Sequence, residues 1–90
     1  MTDIRRPQKI AGTAVSGRGS SPVLVAPGAG PLGLNETALA IWDLCDGNTS
    51  VDEMVTAVVE LTGLDTEHVT RDVAGVVGEF ARLGLVTFGG

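Results

Sequence analysis

The stretch Leu34–Gly47 constrains the fold most, because it reads L-N-E-T-A-L-A-I-W-D-L-C-D-G and marks both ends of a helix. Asn35 fits the N-cap, where a side-chain oxygen accepts a hydrogen bond from a free backbone N–H of the first turn. Gly47 fits the left-handed residue that ends many helices. Between them, apolar residues recur three and four positions apart and form one stripe: Ala38, Ile41, Trp42 and Cys45. The stretch therefore predicts an amphipathic helix that packs its stripe into the core.

Two further amphipathic helices are predicted after this one. Ser50 and Glu53 fit the S-x-x-E capping box, and Asp65 fits the N-cap of the last helix. Gly63 and Gly84 fit the two C-terminal ends. We expect three helices of roughly ten, twelve and eighteen residues.

The first third of the chain is rich in Gly and Pro and predicts short strands. Residues 10–15 favour a first strand, residues 23–25 a second and residues 32–34 a third, separated by turn-forming segments. Residues 85–88 predict either a last short strand or an ordered tail. The fold class that follows is α+β, with a short three-stranded antiparallel sheet followed by a three-helix bundle.

The length of 90 residues suits one domain. Residues 1–9 are polar and predict a flexible arm, which leaves residues 10–90 as the single folded domain. Cys45 is the only cysteine, so no internal disulfide can form and a reducing compartment, the cytoplasm, is expected. No secretory or membrane segment is expected either, because no apolar run approaches the ~18 residues of a membrane helix.

Catalytic chemistry has few candidate residues. His68 is the only histidine and lies in the first turn of the third predicted helix, whereas Cys45 lies on an apolar stripe, so the two are not expected to meet. No Cys/His spacing matches a metal site. The G-A-G-P-L-G sequence at 28–33 lacks the βαβ surroundings of a nucleotide site. We therefore expect no enzyme activity, no metal and no cofactor.

Three segments together resemble the PqqD family: L-N-E-T-A-L-A-I-W-D-L-C-D-G, then S-V-D-E-M-V, then D-V-x-x-V-V-x-x-F-x-x-L-G-L-V, over roughly residues 32–86. The resemblance implies a winged-helix-like domain with a three-stranded sheet packed on three helices. It also implies a non-catalytic peptide chaperone that binds the leader of a ribosomally made precursor peptide. Such a protein presents the peptide to a modifying enzyme, often a radical SAM protein, as in pyrroloquinoline quinone (PQQ) synthesis. Related domains, called RiPP recognition elements, serve other peptide products.

The binding site that the resemblance implies lies between the third strand and the third helix. The leader adds as a strand beside the sheet and places side chains in a groove against the helix. Carried onto this sequence, the strand is Leu32, Gly33 and Leu34, and the helix spans Val69–Leu83, with Val76 and Glu79 among the expected contacts.

Four residues of the third helix form a further pattern. Arg71, Gly75, Gly78 and Arg82 fall at i, i+4, i+7 and i+11 and share one stripe. Each internal glycine costs up to ~1 kcal/mol relative to alanine, which indicates a close approach to the helix backbone. Either the stripe packs against this protein's own sheet or another helix, or it is the floor of the groove, with arginines suited to an acidic leader.

The charge distribution weighs against the alternative function, a winged-helix regulator that binds nucleic acid. The net charge is −5, and no Lys or Arg occurs between Arg18 and Arg71. A nucleic-acid binder needs a basic face to displace counterions from phosphates. The partners that the resemblance implies are the precursor peptide and its modifying enzyme, and we expect no nucleic acid and no membrane. The short strands permit a monomer or a strand-exchanged dimer.

Overall fold

The computed structural model describes residues 4–89. The chain contains five strands and three helices over this range. In chain order these are β1 (Arg6–Lys9), β2 (Ala14–Ser16), β3 (Val23–Ala26), β4 (Ala29–Gly33), α1 (Glu36–Asp43), α2 (Val51–Thr62), α3 (Thr66–Arg82) and β5 (Val86–Gly89). The predicted α+β class is confirmed: a three-stranded antiparallel sheet precedes three helices.

The helices begin at the predicted caps. The Asn35 side chain accepts a bond from the Ala38 N–H at 2.7 Å, and both bonds of the Ser50–Glu53 capping box are present. Asp65 accepts bonds from the first turn of α3. Gly63 ends α2 with φ of +70°, a conformation that glycine adopts without a steric penalty. These caps are local contacts, which is why the sequence predicts them well.

Helix α1 is shorter than predicted. It ends at Asp43 and not near Gly47, because the following residues bond to a strand instead of continuing the helix. The Lys9 N–H donates to the Cys45 carbonyl at 3.1 Å, and the Gly47 N–H donates to the Pro7 carbonyl at 3.0 Å. These partners are distant in sequence, so local patterns could not reveal them.

The three-stranded sheet has the order β2-β3-β4. Its first strand is Ala14–Ser16 and not residues 10–15, because Thr13 folds back and donates from both its N–H and its hydroxyl to the Ile10 carbonyl. The last strand, β4, starts earlier than predicted and pairs with β3 in the register Val23↔Gly33 and Leu24↔Leu32. An irregularity follows between Leu24 and Ala26.

The prediction of a flexible arm is wrong for Arg6–Lys9, which form β1 and pair antiparallel with β5. Residues 1–3 of that arm lie outside the described residues. Pro7 is among the most fully buried side chains, and the Val51 N–H donates to the Arg5 carbonyl at 2.9 Å. The segment reads as polar because Pro7 is the only residue of β1 that is fully buried. The strand that pairs with it, β5, lies at the far end of the chain, so no local pattern reveals the pairing.

The core lies between the three helices and the inner face of the sheet. Trp42 of α1 and Phe80 of α3 meet edge to face, with ring centroids 5.3 Å apart. Leu24 of β3 and Val86 of β5 close the core from the strand side. Aromatic pairs of this geometry add to the stability that burial supplies. No helix within residues 4–89 is long and apolar enough to cross a membrane.

Candidate functional site

Strand β4 has an open edge. The Leu34 N–H, just beyond the strand, donates to the Pro22 carbonyl at 2.9 Å on the β3 side. Backbone groups of successive residues in an antiparallel pair point alternately toward and away from the partner strand. The N–H and C=O of Gly33 therefore point away from β3, and within residues 4–89 no strand pairs with that side. Such unpaired groups can accept an added strand.

A groove runs between β4 and the C-terminal end of α3. Its volume is about 510 Å³, which lies within the range of ligand-binding clefts. Apolar side chains from the strands and from the segment after α3 form much of its lining, and a charged pair lies on the helix side. The lining residues are Leu24, Gly28, Gly30, Pro31, Leu32, Glu79, Arg82, Leu83 and Leu85.

The charged pair on the helix wall is Glu79 with Arg82. The Arg82 Nε donates to Glu79 Oε2 at 3.1 Å, and a second contact joins Arg82 Nη2 to Glu79 Oε1. Hydrogen bonding from Arg82 lowers the pKa of the Glu79 carboxyl, and the same bond raises the pKa of Arg82. Both side chains are exposed, so the pair remains accessible to a third charged group.

The structure brings together part of the predicted site. Leu32, Glu79 and Arg82 line the groove, and Val76 lies half-buried one turn before Glu79 on α3. Gly33 and Leu34 instead line a second depression, which they share with Pro22, Val23 and the start of α1.

The second depression lies between the β2–β3 turn and the start of α1. The Arg18 guanidinium makes two hydrogen bonds with the Asp43 carboxylate, at 2.8 and 3.2 Å, and ties the turn to α1. Arg18 also lowers the pKa of the Asp43 carboxyl. The guanidinium of Arg18 is therefore already paired with Asp43. Gly33, which lines the same depression, is exposed to solvent.

The predicted glycine stripe lies on the outer face of α3. At 3.6 residues per turn, the line of Arg71, Gly75 and Gly78 falls opposite the buried line that contains Val73 and Val77. A Cβ added at either glycine would meet nothing within 4 Å. The interpretation that the stripe packs against this protein's own sheet or another helix is therefore wrong.

Sequence reasoning missed several groove residues, among them Pro31, Leu83 and Leu85. The sequence pattern predicts a turn at Pro31, just before the expected third strand, yet Pro31 lies inside β4. A proline inside an otherwise strand-like run is itself a sign of an edge strand, because proline cannot donate to an inner ladder. That signal was available in the P-G-A-G-P-L-G segment.

The residues considered for catalysis lie apart. Cys45 is 1% exposed and its thiol donates to the Ile41 carbonyl at 3.3 Å. Burial raises the pKa of this thiol to about 11. His68 is exposed on α3, with Nε2 3.2 Å from Asp72. Among the described residues, no group of three or more His, Cys, Asp or Glu side chains could hold a metal ion.

The family model described as "Coenzyme PQQ synthesis protein D (PqqD)" matches residues 23–86 of the chain. This chain belongs to the PqqD family. The match runs from β3 to the first residue of β5, so it contains both walls of the groove and the open edge of β4. PqqD proteins are non-catalytic accessory proteins, and membership supports involvement of this chain in PQQ biosynthesis. No curated protein and no solved structure matches the chain.

Proposed function

We propose that this PqqD-family protein binds the leader of a ribosomally made precursor peptide by strand addition to β4 and presents it to a radical SAM-type modifying enzyme. The observation that carries the proposal is the open edge of β4 beside the α3 groove, inside the segment that matches the family. The product is PQQ or that of a related peptide pathway.

Backbone pairing supplies the first part of the binding. A strand that adds to a sheet edge exchanges its N–H and C=O bonds with the edge, and pockets for alternate side chains supply specificity. Gly33 presents its backbone groups to the open side, and the exposed surface there lets a partner approach. The edge is short, so backbone pairing alone gives weak affinity.

Side chains of the leader supply the second part. The groove offers apolar contacts from Leu32, Leu83 and Leu85. Full burial of one aliphatic or aromatic leader side chain contributes about 1.5–3 kcal/mol. An acidic leader side chain can replace Glu79 as the partner of Arg82, which favours leaders that carry carboxylates close to an apolar residue.

A non-catalytic role is consistent with the position of Cys45, the one candidate nucleophile considered above. Cys45 is buried in the core, and burial keeps its thiol protonated at neutral pH. The reaction therefore belongs to the partner enzyme, and this protein contributes binding and orientation.

The direct test is a titration of the ¹⁵N-labelled protein with a synthetic leader of PqqA, the precursor peptide of the PQQ pathway. We expect amide shifts at residues 32–34 and along the α3 flank that carries Val76, Glu79 and Leu83. The Arg82→Glu variant should bind more weakly and associate more slowly, with a reduced salt dependence. Arg71→Glu is the matched control, because Arg71 is an exposed arginine of the same helix outside the groove lining.

A saturating titration that shifts none of these amides, repeated with the radical SAM enzyme PqqE present, would contradict binding of the PQQ precursor leader by this chain. Shifts confined to the α2 surface would place the peptide elsewhere and contradict strand addition.

A further inference from the structure

We propose that the depression at the start of α1 is a second subsite for the leader, which takes one apolar leader side chain and a lysine or arginine beside it. The inference rests on the proposed function and goes further, because it assigns leader binding to a surface away from α3. The depression has a volume of about 580 Å³ and lies between the β2–β3 turn, the end of β4 and the first turns of α1.

The floor of the depression is apolar and has open space beside Gly33. Side chains alternate between the two faces of a strand, and the flanking Leu32 and Leu34 are half-buried and buried. Position 33 therefore faces solvent, where a Cβ would meet nothing within 4 Å. Val23 and Leu39 add half-buried apolar surface to the lining around this space. An apolar side chain of a partner can be buried there.

One charge of the lining has no counter-ion among residues 4–89. The Arg18 guanidinium bonds to both carboxylate oxygens of Asp43, so its charge is neutralised within the protein. Glu36, the first residue of α1, is exposed and makes no ion pair with any residue of the described range. The positive end of the α1 dipole stabilises this carboxylate but brings no counter-ion. The depression therefore favours a cationic residue next to the apolar one.

Gly33 joins the depression to the open edge of β4, which identifies the leader as the occupant. Gly33 lines the depression, and its backbone groups point to the unpaired side of the strand. A strand that pairs with this edge lies about 4.8 Å from it, so leader residues next to the paired position reach the depression. The α3 groove borders the earlier part of the strand, at Pro31 and Leu32. One leader strand along β4 can therefore contact both sites.

Charge changes at Glu36 test the basic part of the subsite. Calorimetric titration with the synthetic PqqA leader should show two- to fivefold weaker binding to Glu36→Gln and roughly tenfold weaker binding to Glu36→Lys. Glu67→Gln is the matched control, because Glu67 is an exposed first-turn glutamate of α3 outside both linings. We expect this control to bind the leader as tightly as the wild type does.

A series of leader variants identifies the partner of Glu36. Each lysine or arginine of the leader is replaced by glutamate in turn. One of these peptides should bind the wild type roughly tenfold more weakly than the parent leader, and it should bind Glu36→Lys more tightly than the wild type. If no replacement is rescued by Glu36→Lys, Glu36 does not contact the leader and the second subsite is overturned.

Gly33→Leu tests the apolar part. Its Cβ lies in open space, so the variant should fold, and the larger side chain should fill the depression and weaken leader binding roughly tenfold. Ala14→Leu is the matched control, because Ala14 is exposed and its partner Val25 shares a sheet face with Val23 and Gly33, outside the depression. If Gly33→Leu does not fold by circular dichroism, the Glu36 variants and the leader series decide alone.

The outcomes distinguish the second subsite from leader binding itself. A leader that binds Glu36→Gln and Glu36→Lys as tightly as the wild type overturns the subsite and leaves binding at β4 intact. Full-strength binding by a folded Gly33→Leu also overturns it. If the amides of Ser20, Ser21 and Leu39 shift when the free protein is concentrated, a second copy of the chain covers the depression and the proposal is overturned. Failure of the unmodified leader to bind removes both proposals.

Discussion

Strands β1 and β4 are both short and both lie against the helical core, but their edges differ. β1 is bonded on both sides, to β5 on one and to residues 45–51 on the other. β4 is bonded to β3 on one side, and no described strand covers its other side. β1 also contributes the buried Pro7, whereas Gly33 of β4 is exposed.

The two strands belong to two separate small sheets, β1-β5 and β2-β3-β4, and the difference between their edges indicates two different roles. β1 lies outside the segment that matches the family, and it closes the core around the loop after α1. β4 lies inside that segment and leaves backbone groups free for a partner. Changes to β1 should therefore act on stability, and changes to the edge of β4 should act on binding.

The largest effect is expected from deletion of residues 1–9. This removes the Pro7 side chain from the core and three backbone hydrogen bonds to residues 45–51, so we expect the free energy of unfolding to fall by about 3–5 kcal/mol. Urea unfolding monitored by Trp42 fluorescence measures it. Gly33→Ala, where the added Cβ meets nothing within 4 Å, is the β4 counterpart and should change stability by less than about 0.5 kcal/mol. If the deletion lowers the free energy of unfolding by less than about 1 kcal/mol, the result would support the prediction that residues 1–9 form a flexible arm.

A smaller effect is expected from the ionisation of Cys45, whose carbonyl is bonded to β1. Desolvation by burial raises its pKa to about 11, above the usual value of an unfolded thiol. The unfolded chain therefore loses this proton first as the pH rises. The stability that the neutral thiol contributes is fully present below about pH 9 and is lost as the pH rises towards 11, by up to roughly 2–3 kcal/mol.

The measurement for Cys45 is the free energy of unfolding between pH 8 and pH 11 in wild type and in Cys45→Ala. We expect a steeper decline in the wild type. If the free energy of unfolding depends on pH equally in the two proteins, water reaches the Cys45 thiol and the core beside β1 is not closed.

The smallest effect is expected on the outer face of α3. Gly75→Ala and Gly78→Ala should each raise the free energy of unfolding by about 0.5–1 kcal/mol, because both glycines lie inside a helix with open space at Cβ. Thermal unfolding measures the change, and a destabilised variant would mean that the space is occupied.

The Gly75→Leu variant tests whether the leader also contacts the outer face of α3. The sequence predicts that this variant folds normally and binds its leader more weakly. Unchanged affinity in a folded variant would confine the leader to the flank of Val76, Glu79 and Leu83.

The helices were predictable because their signals are local. The Ser50–Glu53 box and the Asp65 cap each involve residues within one turn. The role of Arg6–Lys9 was not predictable, because β1 pairs with residues about 80 positions away and buries only Pro7. The end of α1 was misplaced for the same reason, since Cys45 and Gly47 bond to β1.

The site was predictable in its elements but not in its orientation. The resemblance placed it at residues 32–34 and on the last helix, and Leu32 and Arg82 do line one groove. The glycine spacing of α3 marked the outer face, whereas the packing of Val73, Val77 and Phe80 sets the helix rotation and turns the flank of Glu79 toward β4. Spacing alone gives the faces of a helix but not which of them meets the sheet.

The most direct test of leader binding at β4 is amide hydrogen exchange with and without a saturating PqqA leader peptide. In the free protein, the Gly33 amide should exchange rapidly, and the Lys9, Gly47 and Val51 amides beside β1 should be protected. On addition of the leader, we expect Gly33 to become protected at least about tenfold while the amides beside β1 stay unchanged. Rapid exchange at Gly33 in the saturated complex would contradict strand addition at β4.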